Sequence, residues 1–132
     1  MEYFIIINGQ EYKLPTILEM FNKELFEEYK LEDNEKLYLD IDRLIKDKKV
    51  KEIDKICTQC CSFVGELALD SPEDLEEFNK LGSAMRNYDN LAKYHLKHND
   101  EEKAMSSYLS LLEPVLDFYN ELMNQDEKTI QR

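Results

Sequence analysis

The chain has no tryptophan and only three glycines, three prolines, three cysteines and two histidines in 132 residues. So few turn formers argue against an all-β fold, which needs Gly- or Pro-bearing turns at short intervals. No apolar run approaches the ~18 residues that would span a bilayer, so no membrane partner is expected. The N-terminus lacks a basic region followed by an apolar stretch and a small-residue cleavage site. No secretory signal is therefore read, and the thiols are expected to stay reduced in the cytosol. Positive charge is also scarce: 17 Lys and Arg stand against 29 Asp and Glu, a net charge of −12. Phosphate binding needs clustered Lys and Arg, so nucleic acid is not expected as a direct partner. A phosphate-cradling Gly-rich loop, a nucleophile elbow and a His-Glu-x-x-His motif are all missing. The sequence thus predicts no catalytic residue, no cofactor and no metal, and a protein that is not an enzyme.

What is present suits a soluble helical domain: 42% of the residues are apolar and 35% charged. The expected fold is mainly α, a single domain over residues 1–132. A short β-hairpin or extended arm occupies 1–15, about five helices form a small bundle over 16–126, and 127–132 are a flexible tail. In "EYFIIINGQEYKLP", Asn8-Gly9 separates two strand-like runs, and an Asn-Gly pair favours a type I′ hairpin because both residues tolerate positive φ. Thr16 is then expected to cap the first helix, with Glu19 completing a capping box. That helix would bury Ile17, Leu18, Phe21, Leu25 and Tyr29. A break at "LEDN" precedes a second helix through "EKLYLDIDRLIKDK", striped by Leu37, Ile41, Leu44 and Ile45. The third helix carries the cysteines and ends near Asp70. "DSPED" restarts the chain, with Ser71 as cap and Pro72 in the first turn of a fourth helix that reaches His98 with a bend expected at Gly82-Ser83. The last helix reaches about Gln125 and contains Pro114, which predicts a kink or break.

"ICTQCCSFVGELA" raises the possibility of chemistry, because CxxC is a spacing used by zinc sites and thiol–disulfide enzymes. On a wheel at ~100° per residue, however, Cys57, Cys60 and Cys61 fall among Ile53, Ile56, Val64 and Leu67 on one side. A redox CxxC normally stands at a helix N-terminus, and this one is mid-helix. His95 and His98 could complete a Cys₂His₂ set only by crossing from another helix. The cysteines are read as core packing.

The last helix has more apolar surface than one core contact needs, about half its circumference instead of a ~100° stripe. Phe26 and Leu39 also point away from their helices' main stripes. Either this helix is central and covered on both flanks, or its surplus takes a partner. The expected partner surface is a groove bordered by Tyr88, Leu91 and Tyr94 on the fourth helix and by Leu109, Leu112, Leu116, Phe118 and Tyr119 on the fifth. The same stripe is expected to drive self-association into a homo-oligomer.

An N-terminal "FIIINGQEYKLP" running into a helix, with an acidic helical remainder, resembles the tail assembly chaperones of long-tailed bacteriophages. It is most similar to those of phages infecting Gram-positive hosts such as lactococci. The resemblance implies a non-enzymatic chaperone that coats the tape measure protein, a long helical client, and keeps it soluble until tail tube subunits polymerise around it. It further implies a homo-oligomer in the host cytoplasm that is absent from the mature virion, with the tail tube protein as a second candidate partner. A reading from another class stays open: a small acidic helical inhibitor or regulatory protein docking on a basic site of a host enzyme.

Overall fold

A computed structural model of the chain describes residues 2–130, with side chains described as far as Asn124. In chain order the elements are β1 (Glu2–Ile7), β2 (Gln10–Lys13), α1 (Thr16–Phe21), α2 (Lys23–Tyr29), β3 (Lys30–Asp33), β4 (Lys36–Asp40), α3 (Ile41–Lys46), α4 (Val50–Ala68), α5 (Pro72–Lys97) and α6 (Glu101–Ile130). The protein is mainly α, but the strands form one four-stranded sheet in the order β2-β1-β4-β3.

Asn8 and Gly9 both have positive φ, 52° and 75°, so the β1–β2 turn takes the conformation that its residues favour. The hairpin is only half of the sheet. β4 lies parallel to β1 on its other edge, with Ile5 opposite Leu39, and β3 returns antiparallel to β4. The expected helix over "EKLYLDIDRLIKDK" is therefore a strand followed by a short helix. Leu37, Tyr38 and Leu39 are all buried, which suits a strand covered on both faces. Leu37 and Leu39 join the main core with Ile5 and Ile7, whereas Tyr38 stacks on Phe4 across the other face with ring centroids 5.4 Å apart. Leu39, read from the sequence as misplaced on a helix, fits the sheet's inner face. Asp40 then caps α3 by accepting the Arg43 N–H at 3.2 Å.

The expected first helix is split at Asn22. This buried side chain donates through Nδ2 to the Leu18 carbonyl and to Gln59 Oε1, each at 2.7 Å. The kinked path buries Leu18, Phe26 and Tyr29 but leaves Phe21 and Met20 outside, which corrects the single stripe expected from Ile17 to Tyr29. Thr16 is not the cap: Pro15 holds that position without a side-chain hydrogen bond. Ser71 does cap α5, accepting the Asp74 N–H at 3.5 Å. α5 runs without a break through Gly82 and Ser83, and α6 continues through Pro114 to Ile130. Residues 127–130, expected as a tail, are thus helical backbone; 131 and 132 lie outside the described residues.

α3 ends with Lys48 at φ 57°. Its N–H donates to the Ile45 carbonyl and that of Lys49 to the Leu44 carbonyl, both at 3.0 Å, a Schellman termination. Holding an L-residue in this left-handed conformation costs about 1 kcal/mol. Lys48→Gly is expected to stabilise the fold by up to ~1 kcal/mol, read as a higher urea midpoint. A lower midpoint would show that the lysine side chain contributes more than its backbone costs.

α6 is the central element. It packs against α4, α5 and β2, and its apolar side chains from Ala104 to Leu122 are buried. β2 would otherwise present a free edge. Asn120 of α6 covers part of it, its Oδ1 accepting the Lys13 N–H at 3.0 Å and its Nδ2 facing the Lys13 carbonyl at 3.4 Å, in place of a neighbouring strand.

Candidate partner-binding surface

The structure separates the residues expected to form one groove. Leu109, Leu112, Leu116, Phe118 and Tyr119 are buried and belong to the core cluster. The wide stripe of α6 is filled by α4 on one flank, α5 on another and β2 on a third. A covered stripe cannot also be the contact for self-association. Tyr88, Leu91 and Tyr94 stand outside, with 36%, 43% and 55% of their surface exposed. They follow one another at i, i+3 and i+6 along the outer side of α5, whose inner side packs Phe78, Leu81, Met85, Ala92 and Leu96 on the core.

This outer face is well ordered chemically. The Tyr94 and His98 rings lie 4.2 Å apart, and His98 Nδ1 is 2.9 Å from the Tyr94 carbonyl. Asn99, with φ 58°, lets the chain leave α5 through a second Schellman turn. Asp100 then accepts the Lys103 N–H at 3.1 Å to start α6. The face therefore ends where the chain turns from α5 into α6. A second exposed apolar pair, Met20 and Phe21, borders a groove of about 530 Å3 with Asn22, Lys51 and Lys55 on its walls. Sequence reasoning missed it because Phe21 fits the apolar period of an unbroken helix. The signal was Asn22, a poor helix former that prefers to bond the backbone of neighbouring turns.

Cys57 and Cys60 are buried and Cys61 is half-buried, all three as free thiols. Cys57 Sγ donates to the Tyr108 carbonyl at 3.4 Å. Burial pushes the Cys57 and Cys60 thiols far up and Cys61 up to about 11. Such thiols are protonated at neutral pH and are poor nucleophiles and poor metal ligands. Among the described residues, no group of three His, Cys, Asp or Glu side chains is placed to hold a metal ion, and no helix is long and apolar enough to cross a membrane.

The chain matches no protein-family model, no curated protein and no solved structure.

Proposed function

We propose that this chain acts by binding and not by catalysis, as a holding protein of the tail assembly chaperone kind that its N-terminal motif resembles. Its client is a long helical chain such as a tape measure protein, which it keeps dispersed in the host cytoplasm until tail tube subunits assemble. The observation that carries this reading is the line Tyr88–Leu91–Tyr94, exposed at i, i+3 and i+6 along one side of α5. A helical client lays its own i, i+3 and i+4 side chains against such a face. Tyrosine offers a large rigid apolar body at low entropic cost, with a hydroxyl that remains content in water between clients. Each well-buried anchor contributes about 1.5–3 kcal/mol, so a few give a micromolar complex that still releases. The net charge of −12 supports solubility of the loaded complex.

Co-expression with a tape measure chain tests the proposal. The wild type is expected to raise the soluble fraction of the client. Leu91→Asp combined with Tyr94→Asp should keep the fold and weaken binding by at least about a hundredfold, the loss of two anchors. A client equally insoluble with and without the wild type overturns the chaperone reading. Rescue that collapses on moving from low to high salt favours the inhibitor-like alternative, because only an electrostatic dock is screened so steeply.

A further inference from the structure

The two edges of the sheet differ. Asn120 covers part of β2, whereas among the described residues no strand pairs with the outer edge of β3. All four residues of β3, Lys30-Leu31-Glu32-Asp33, are exposed. Such an edge presents unpaired backbone N–H and C=O groups that can accept another strand. Its side chains continue the pattern of the sheet. Leu31 lies opposite Tyr38 and Tyr38 opposite Phe4, so the three make one row across the face turned away from the main core. Phe4 and Tyr38 are buried, but the row ends on Leu31 with 43% of its surface exposed. On the other face of β3, Lys30 Nζ lies 3.2 Å from Glu32 Oε1.

This strand is complementary to its own copy. A two-fold axis perpendicular to the sheet sets two β3 strands antiparallel and keeps the helices of both copies on one side. Opposite residues must then point to the same face, because side chains alternate along a strand. One register that meets this condition places Leu31 against Leu31 of the second copy and Lys30 against Glu32, twice. The neighbouring registers place Lys30 against Lys30, or Glu32 against Glu32 with Leu31 against Asp33. Like charges directly opposite are unfavourable, so charge as well as face selects the first register. Charged residues blunt an edge towards other strands, and here the same charges favour a second copy. Exposed ion pairs add little strength. The backbone ladder and the Leu31 pair supply the attraction, and the charges set the register.

We infer that β3 is a self-association edge, at which two copies of this chain join their sheets into one of eight strands, four from each. The row Phe4–Tyr38–Leu31 then runs on into the same row of the second copy. The contact is isologous and closes at a dimer. It uses neither α6 nor the Tyr88–Leu91–Tyr94 line, so it stands whether or not the client proposal holds.

Sedimentation equilibrium of the full chain tests this at concentrations up to about a millimolar, the weak end of specific association. The wild type is expected to show a monomer–dimer equilibrium within that range, with amide exchange in β3 slowing as concentration rises. Lys30→Glu and Glu32→Lys, both at exposed positions, should stay folded. Each should weaken the dimer about tenfold, because like charges then oppose each other at two places. An equimolar mixture of the two variants should recover it as a heterodimer, since every opposed pair is again of unlike sign. Leu31→Asp should weaken it by about the same factor, the apolar pair being replaced by two opposed acids. Leu91→Asp with Tyr94→Asp should leave it unchanged. A chain that stays monomeric throughout, a mixture no more associated than its components, or dissociation by the α5 variant overturns the inference. So does a dimer that Glu32→Lys strengthens, because the association would then follow net charge and not the register of β3.

Discussion

Leu112→Asp is expected to leave the chain unfolded at neutral pH, whereas Leu91→Asp on the neighbouring helix leaves its stability within about 0.5 kcal/mol. Leu112 has no exposed surface and sits on α6 within the core cluster. Removing a buried leucine costs about 2–5 kcal/mol in transfer and cavity terms. Putting an unpaired carboxylate in its place adds several kcal/mol of desolvation. Together these approach the whole stability of an ordinary small domain, about 5–15 kcal/mol. Circular dichroism and the dispersion of amide signals measure the outcome. A Leu112→Asp protein with a native melting curve would mean that the stripe on α6 is a partner surface after all. In a test of the proposed function, a loss of client binding in such an α6 variant would therefore report unfolding, whereas the α5 variants would report the proposed contact.

Alkaline pH is expected to unfold the protein steeply, beginning just above pH 9. Burial raises the Cys57, Cys60 and Cys61 thiols from an ordinary value of 9.0. It also raises the Tyr108 hydroxyl from 10.0 to about 12, with Asp54 and Asp89 adding to the effect. A group whose folded pKa lies above its unfolded pKa contributes its full stability below the unfolded value and loses it as pH rises through the folded one. Above pH 9 the unfolded chain releases thiol protons that the folded chain keeps. Each thiol then removes about 1.4 kcal/mol per pH unit, continuing to about pH 11 for Cys61 and further for the deeper pair. Three thiols acting together would remove about 4 kcal/mol between pH 9.5 and pH 10.5. Urea melts at successive pH values measure the slope. Cys61→Ala should lessen it by about a third. A stability that stays flat to pH 11 would show that the thiols are open to water.

The parts of this fold that were legible in the sequence are those whose cause is local. Asn8-Gly9 demands positive φ at both residues, Ser71-Pro72 starts a helix, and the cysteines alternate with Ile53, Ile56 and Val64 at helical period; each signal is complete within one turn or one helix. β3 and β4 were not legible, because Leu37, Ile41, Leu44 and Ile45 satisfy a helical period as well as Leu37 and Leu39 satisfy a strand's. What decides between them is the parallel pairing of β4 with β1, a contact that no short window of sequence contains. The partner surface failed for a related reason. A helix buried on several flanks and a helix with a spare binding face show the same wide stripe, so the eight residues assigned to one groove divide into a core set and an exposed set. Met20 and Phe21 emerged only once Asn22 was seen to redirect the chain.

The hydrogen bonds between the first hairpin and the last helix carry a kinetic consequence. Asn120 holds Lys13 across 107 positions of sequence, and Asn8 Nδ2 reaches Glu113 Oε1 at 3.1 Å across 105. Closing a loop of that length costs entropy before any contact is gained, and chains dominated by such closures fold slowly. During synthesis the hairpin leaves the ribosome more than a hundred residues ahead of its partner on α6. At ~5–20 residues per second, the edge of β2 that Asn120 covers then stands open for several seconds. A nascent chain in that interval offers a template for strand pairing with its neighbours on the same message, and the acidic residues distributed along it act first to keep those neighbours apart.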